Sequence, residues 1–329
     1  MNRKILSACL LLLTWTTLVR AQSTGAFISA RNAEPLADEA GLRARVEFFA
    51  DSLCAGRASG SPGSIHAQAA IARQFAVIGL RPANGTYFHG FRTVAGNPAH
   101  NVVGFLPGYG NRYVIVAAHF DHIGTLAGTL YPGADSNASG VASLLTLARM
   151  FRHLKDLGKT YSHSLIFVAL DGKEQSLSGS HHLWDELAGG RLTDPLTGKV
   201  IGPKDIDRMV NIDQVGGTES PLRKSRPDYL IMLSDQDTGR RDALLIANQS
   251  PEVSLDLGYD YYGSKDFTRV FFRTISDQKP FLEHGIPSVM FTSGITMRNN
   301  KANDDADSLD YGILRRRVLA MFYYLVRVI

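Results

Sequence analysis

Short apolar runs alternate with amphipathic segments along most of this chain. The runs are nearly continuous, which is typical of strands covered on both faces of a sheet; they are 113–118, 164–170, 209–212, 229–233 and 287–291. Between them, apolar residues at helical spacing predict helices at about 138–155, 178–188, 239–249 and 312–328. This alternation predicts an α/β fold: a single domain with a mostly parallel, doubly wound mixed sheet flanked by helices.

Two further helices are predicted before the first strand. One has apolar residues at helical spacing between Leu42 and Leu53, and the other ends at Gly79, where the following Pro82 also discourages helix continuation. The polar and mixed residues 22–40 are expected to form a tether, so we place the domain at 41–329. The Gly189–Lys204 stretch is expected to be a surface excursion.

The first 21 residues have the pattern of a signal peptide. A short basic region precedes the apolar run Ile5–Val19, and small residues then predict cleavage before Gln22. The protein is therefore expected to be exported, to the periplasm or out of the cell. No other apolar run approaches the length of a membrane span, so a stable span is not expected. Cys9 lies too early in the apolar run to favour a lipoprotein anchor.

Charge adds little to this interpretation. The chain has 35 Lys and Arg against 31 Asp and Glu, for a formal charge of +4. Residues 1–21 hold Arg3, Lys4 and Arg20 and no acidic residue, so the chain after cleavage carries +1. No basic cluster interleaves with aromatic residues, and nucleic acid is therefore not expected as a partner.

Candidate chemistry lies just after the predicted strands, where open α/β sheets place their sites. His119 could bind a metal while Asp121 accepts the proton of its other ring nitrogen. Asp135 lies in a loop of small residues, where capping of the next helix is an open alternative. Glu174 and Asp213 follow the next two strands. One imidazole and several carboxylates suit a divalent metal, zinc in particular.

In order along the chain, these motifs resemble the M28 family of zinc metallopeptidases, which are mostly aminopeptidases. The resemblance covers nearly the whole chain after the signal peptide, although no single motif decides it. The matching stretches are Gly56-Arg57 with Gly60-Ser61-Pro62-Gly63, Gly79-Leu80-Arg81-Pro82, His119-Phe120-Asp121-His122, Gly133–Gly140, Glu174 with Gly179-Ser180, Asn211–Gly216, and Ser276-Asp277 with Pro280-Phe281 and Gly285-Ile286-Pro287.

The resemblance implies a site for two zinc ions that share Asp135. One ion would also take His119 and Asp213, and the other would take Glu174 and a histidine near the C-terminus. Asn303, a weak ligand, stands at that histidine position, with Asp304 or Asp305 as possible replacements. One zinc ion is therefore plausible at His119, Asp135 and Asp213, whereas the second is doubtful. The substrate pocket is expected near Ser276, Asp277 and Gln278.

The family's general base, a glutamate directly before Glu174, is replaced by Lys173. A protonated lysine offers only donors and cannot accept the proton of a metal-bound water unless burial strongly depresses its pKa. We therefore expect an M28-like metallopeptidase whose ancestral chemistry is hydrolysis of N-terminal peptide bonds, with activity reduced or lost. The alternative is a non-catalytic pseudopeptidase that binds peptides or a protein partner in the old cleft. A glutaminyl cyclase would need the same damaged metal set and is disfavoured.

Overall fold

The computed structural model describes residues 30–219, 226–234, 240–261 and 263–329. Its helices are α1 Glu39–Ala50, α2 Pro62–Ile78, α3 Ser139–Asp156, α4 Ser178–Ala188, α5 Arg241–Ala247, α6 Lys265–Thr274, α7 Lys279–Glu283 and α8 Tyr311–Val328. Its strands are β1 Arg81–Pro82, β2 Phe88–Arg92, β3 Pro98–Leu106, β4 Arg112–His119, β5 Gly124–Leu126, β6 Thr129–Tyr131, β7 His163–Leu170, β8 Leu192–Thr193, β9 Val200–Ile201, β10 Ile206–Ile212, β11 Tyr229–Ser234, β12 Asp256–Gly258 and β13 Ser288–Thr292.

The central sheet is mixed, as predicted, and its middle is parallel. The strand order is β1-β3-β7-β4-β10-β13-β11-β12, with β2 paired to β3. The neighbours β7, β4, β10 and β13 run parallel to one another, whereas β3 and β11 join this group antiparallel. The carboxyl ends of the parallel strands therefore lie along one edge of the sheet, where side chains from distant parts of the sequence can meet.

Both faces of the sheet are covered, which explains the continuous apolar runs. On β4, Val114 and Val116 belong to the core shared with α1, α2, α3 and α8. Ile115 and Ala117 face the opposite core, which is shared with α4 and α7. Since successive strand residues point to opposite faces, a strand buried on both sides must be apolar at every position.

Short polar segments set the helix ends. The Ser61 side chain accepts a hydrogen bond from the Ser64 amide at 3.1 Å, Pro62 occupies the first turn of α2, and Gly79 ends the helix at φ 83°. This is the arrangement of an N-cap, an early proline and a left-handed C-terminal glycine. Asp310 caps α8 in the same way, accepting from the Ile313 amide at 2.9 Å.

Three expectations from the sequence need correction. Residues 30–40 are not a free tether, because Ala30, Ala33 and Ala37 are buried in the main core. Leu53 lies beyond the end of α1 and is 72% exposed. The β3 strand was not predicted although residues 102–106 form a short apolar run, and the fold also buries its polar Asn101 completely.

The predicted signal peptide and residues 22–29 lie outside the described residues, so the signal peptide and export both stay predictions. Within the described part, none of the helices combines the length and the hydropathy that crossing a membrane requires.

Candidate functional site

Three adjacent parallel strands carry the predicted site residues to one edge of the sheet. His119 is the last residue of β4, Asp213 directly follows β10, and the turn holding Lys173 and Glu174 follows β7. Since β4 lies between β7 and β10, the three segments meet at the carboxyl ends of the strands. The sequence therefore predicted correctly that these side chains share one cleft.

His119 is completely buried between two acidic residues. Its Nε2 lies 3.3 Å from Asp213 Oδ1, and its Nδ1 lies 3.1 Å from the Asp121 carbonyl oxygen. Burial and the Lys173 charge oppose protonation, but the carboxylates of Asp213 and Asp121 outweigh them and raise the pKa of His119 to about 10. The raised pKa favours the imidazolium form, in which Nε2 donates to Asp213.

Asp121 orients the site in a different way from the one predicted. Its carboxylate lies 3.7 Å from His119 Nδ1, and the backbone carbonyl makes the closer contact. The two carboxylate oxygens instead accept from the amides of Lys173 and Glu174, each at 3.0 Å. Asp121 therefore fixes the turn after β7, and with it the placement of the lysine.

Lys173 occupies the position where the M28 pattern has its general base, and it makes an ion pair. Its Nζ donates to Glu174 Oε1 at 3.0 Å, and its side chain is only 16% exposed. Burial disfavours the ammonium, but Asp213 and Glu174 outweigh that effect, so the pKa of Lys173 is raised. A lysine held in its protonated form cannot accept a proton from water, so the expectation of a missing base is strengthened.

A buried polar chain behind Asp213 fixes its carboxylate. Ser276 Oγ donates to Asp213 Oδ2 at 2.5 Å, and Asn211 Nδ2 lies 2.8 Å from both Ser276 Oγ and Gln278 Oε1. Burial opposes ionisation of Asp213, but the charges of Lys173 and His119 outweigh it and lower the pKa of Asp213.

Ser276, Asp277 and Gln278 were expected near the substrate pocket, and a role in binding substrate stays a prediction. All three are completely buried, and Ser276 and Gln278 belong to the polar chain that reaches Asp213. Burial raises the pKa of Asp277 to about 6.

Asp135 does not join the proposed ligand set. Its Oδ1 accepts from the amides of Gly216 and Gly217 at 2.8 and 2.9 Å, so the carboxylate is held by the loop that follows Asp213. Burial and the charge of Asp304 raise the pKa of Asp135 to about 7. Asp304 is equally occupied, since its carboxylate accepts from the amides of Asp135 and Ser136 at 2.8 and 3.1 Å.

The residues present do not fit a zinc centre of the expected kind. Asn303 is exposed, Asp135 is turned onto backbone amides, and Lys173 neutralises Glu174. In the part of the chain that the structure describes, no three His, Cys, Asp or Glu side chains converge in a way that could hold a metal ion. His119 and Asp213 do meet, whereas Asp135 Oδ1 is held by backbone amides, so the ligand set His119, Asp135 and Asp213 stays a prediction without support from these contacts.

A cavity of about 170 Å³ opens beside this charged cluster. Lys173 and Asp213 lie at one side of it, and the rest of its lining is mostly apolar or amide: Gln214, Phe271, Ile275, Met290, Thr292, Ile295, Asn299 and Asn300. Sequence reasoning missed α6, which supplies Phe271 and is directly followed by Ile275. The aromatic and aliphatic residues of that helix were the available signal.

Comparison with known proteins agrees with this architecture. The family model for Peptidase family M28 matches residues 101–325, more than half of the chain. The chain belongs to peptidase family M28. Membership implies zinc as a cofactor, and the side chains described above depart from that expectation.

Among curated relatives, a "Probable zinc metalloprotease" of Pyrenophora tritici-repentis is 26% identical over 59% of this chain and 48% of its own length. The chain therefore spans about half of that relative. The "BOS complex subunit NCLN" of Gallus gallus is 33% identical over 48% of this chain and 27% of its own. Among solved structures, the LapA aminopeptidase of Legionella pneumophila superposes with a TM-score of 0.70 at 15% identity, covering 91% of this chain and 74% of that one. That likeness shows the fold alone.

Proposed function

We propose that this M28 protein binds peptides or peptide-like ligands in the cleft beside β4, β7 and β10 and does not hydrolyse them. The observation that carries the proposal is the Lys173–Glu174 ion pair, 3.0 Å long, at the base position of the family. Hydrolysis needs a group that takes a proton from water and a cation that polarises the scissile carbonyl. Here the base is replaced by a protonated donor, and the carboxylates that would bind a metal already have partners.

The shape of the cleft supports a ligand with an apolar side chain next to polar backbone. Phe271, Ile275 and Ile295 form an apolar part of the cavity, while Asn299 and Asn300 lie on its wall. Amide side chains can donate to and accept from a peptide backbone, and an apolar side chain gains free energy on entering the cavity. A pocket of this kind retains peptide recognition when the hydrolytic groups are lost.

Two finer points belong to the same proposal. The ligand is a free peptide or a segment of a protein partner; the naming of a relative as a complex subunit supports the partner, and so does the exposure of Ile275, which lines the cavity. The N-terminal pattern supports export of the protein.

Hydrolysis and binding are measured separately to test the proposal. Aminoacyl and dipeptide reporter substrates, with and without added zinc, are expected to give no turnover above that of denatured protein. Fluorescent peptides with apolar N-terminal residues are expected to bind by anisotropy. Ile275→Trp, which fills the mouth of the cavity, should weaken this binding at least tenfold, while Val270→Trp on the exposed part of α6 should not.

Turnover that depends on zinc and resists removal of contaminating peptidases would overturn the proposal, because it would show a base that we have not identified. Equal binding by wild type, Ile275→Trp and Val270→Trp would show that peptides do not use this cavity.

A further inference from the structure

The edge of the sheet that forms the cleft concentrates ionisable side chains. Carboxyl groups outnumber basic groups there, in a region closed to most solvent: Asp213 and Asp121 lie beside His119, Glu174 pairs with Lys173, and Asp277 is buried near His119. Like charges in a low dielectric repel strongly, so such a set needs cations to be stable. In the family to which this chain belongs, divalent metal ions supply that charge.

Lys173 supplies such a cation from within the chain itself. Its backbone amide is tied to Asp121 at 3.0 Å, so the side chain starts from a fixed point. Its ammonium then contacts Glu174 at 3.0 Å and lines the same cavity as Asp213. Lys173 thereby contacts Asp121 through its backbone amide and Glu174 through its ammonium, and its side chain shares a cavity with Asp213.

We propose that the Lys173 ammonium is a resident counter-ion that replaces a divalent metal, so that this protein folds and stays folded at neutral pH without one. The inference shares with the proposed function the premise that Lys173 has displaced metal chemistry. It does not require that a peptide binds, and its tests measure metal content and unfolding rather than ligand affinity. The two proposals can therefore fail separately.

The first experiment measures metal in the wild-type protein. After incubation with excess zinc and gel filtration, elemental analysis is expected to find no stoichiometric metal. The melting temperature is expected to be the same with excess chelator and with excess zinc. A stoichiometric ion whose removal lowers the melting temperature would overturn the proposal.

The second experiment removes the charge of Lys173. Lys173→Met should lower the melting temperature by about 5 °C or more, because a half-buried acidic cluster loses its cation. Lys173→Arg keeps the charge and should lose much less. Lys199→Met is the matched control, since Lys199 forms a 2.7 Å ion pair with Asp205 but is 41% exposed, and it should change the melting temperature little. Equal losses in Lys173→Met and Lys173→Arg would overturn the proposal.

A charge-balanced variant keeps the test decisive if Lys173→Met does not fold. Lys173→Met combined with Glu174→Gln removes one cation and one anion. The double variant should fold and recover most of the lost melting temperature. A double variant no more stable than Lys173→Met alone, or equally unable to fold, would show that the packing of the lysine side chain matters rather than its charge.

Discussion

Arg57 offers the sharpest test of how the cleft is held in shape. It is completely buried, and its guanidinium donates to four backbone carbonyls, those of Phe49, Phe120, Pro132 and Gly133. One of these follows His119 directly, and another opens the loop that carries Asp135. Arg57→Met keeps the length and the apolar stem of the side chain but removes every donor.

The cost follows from two opposing effects. Each carbonyl loses a charged donor, worth about 1.5 kcal/mol at the low end, so the four together lose about 6 kcal/mol. Part of this is recovered because a buried cation disappears: burial lowers the pKa of Arg57 from 12.5 to about 10, which corresponds to about 3 kcal/mol. The variant should therefore lose about 3 kcal/mol of stability and about 6 °C in melting temperature.

Thermal unfolding followed by circular dichroism measures this loss. Arg57→Lys, which keeps the charge but cannot present a planar fork to four carbonyls, should fall between wild type and Arg57→Met. Arg73→Met, an exposed arginine on α2, is the matched control and should be near wild type. The expected effect is well above 1 °C for a domain of about this size. If Arg57→Met melts within 1 °C of the Arg73→Met control, the Arg57 guanidinium does not hold together the segments whose carbonyls it contacts.

Three further outcomes are expected. Asp277→Asn should be more stable than wild type by up to about 3 kcal/mol at pH 7.5, and equally stable at pH 3.5. The reason is that the pKa of Asp277 is raised from 3.8 to about 6 in the folded state, so only the ionised carboxylate destabilises the fold. An equal difference in stability at both pH values would contradict this. The melting temperature of wild type should fall as the pH rises from 6.5 to 10, since the pKa of His119 is raised from 6.5 to about 10 and its stabilisation is lost on deprotonation. His119→Gln should flatten that part of the pH profile. An unchanged slope in this variant would show that His119 does not cause the fall. Ser276→Ala should lower the free energy of unfolding, measured by chemical denaturation, by about 1.5–3 kcal/mol, because buried Asp213 loses a charge-assisted hydrogen bond. Ser52→Ala, on the surface, is the control and should cause no measurable loss. Equal losses in the two variants would be inconsistent with the 2.5 Å contact between Ser276 and Asp213.

The main elements were predictable because burial on both faces leaves a strong pattern. The runs at 113–118 and 164–170 became β4 and β7, and the helices predicted at 138–155 and 312–328 became α3 and α8. The β3 strand was missed although residues 102–106 are an apolar run, and the burial of its Asn101 could not be foreseen, because that side chain is satisfied by partners distant in sequence: the Gly179 carbonyl at 2.7 Å and the Asp171 amide at 3.1 Å. A hydropathy pattern does not indicate such distant hydrogen-bond partners.

The candidate site was also predictable only in part. Residues at strand ends, such as His119 and Asp213, could be placed together because parallel strands end at one edge of a sheet. Asp135 lies in a loop, and the direction of its side chain depends on the Gly216 and Gly217 amides some 80 residues away. Ser276 follows a helix that the sequence had not revealed, so its position behind Asp213 could not be foreseen.

The sequence alone determined the α/β class and most of the central strands and long helices, the membership of the peptidase family and the presence of a lysine where a general base is expected. Only the tertiary structure decided how charge is balanced in the cleft. Hydropathy and motif order are local properties that survive in the linear sequence. The pairing of Lys173 with Glu174 near Asp213, and the turning of Asp135 onto backbone amides, depend on which loops the sheet brings together. Electrostatic energy depends on those distances and on burial, and neither is written in the sequence.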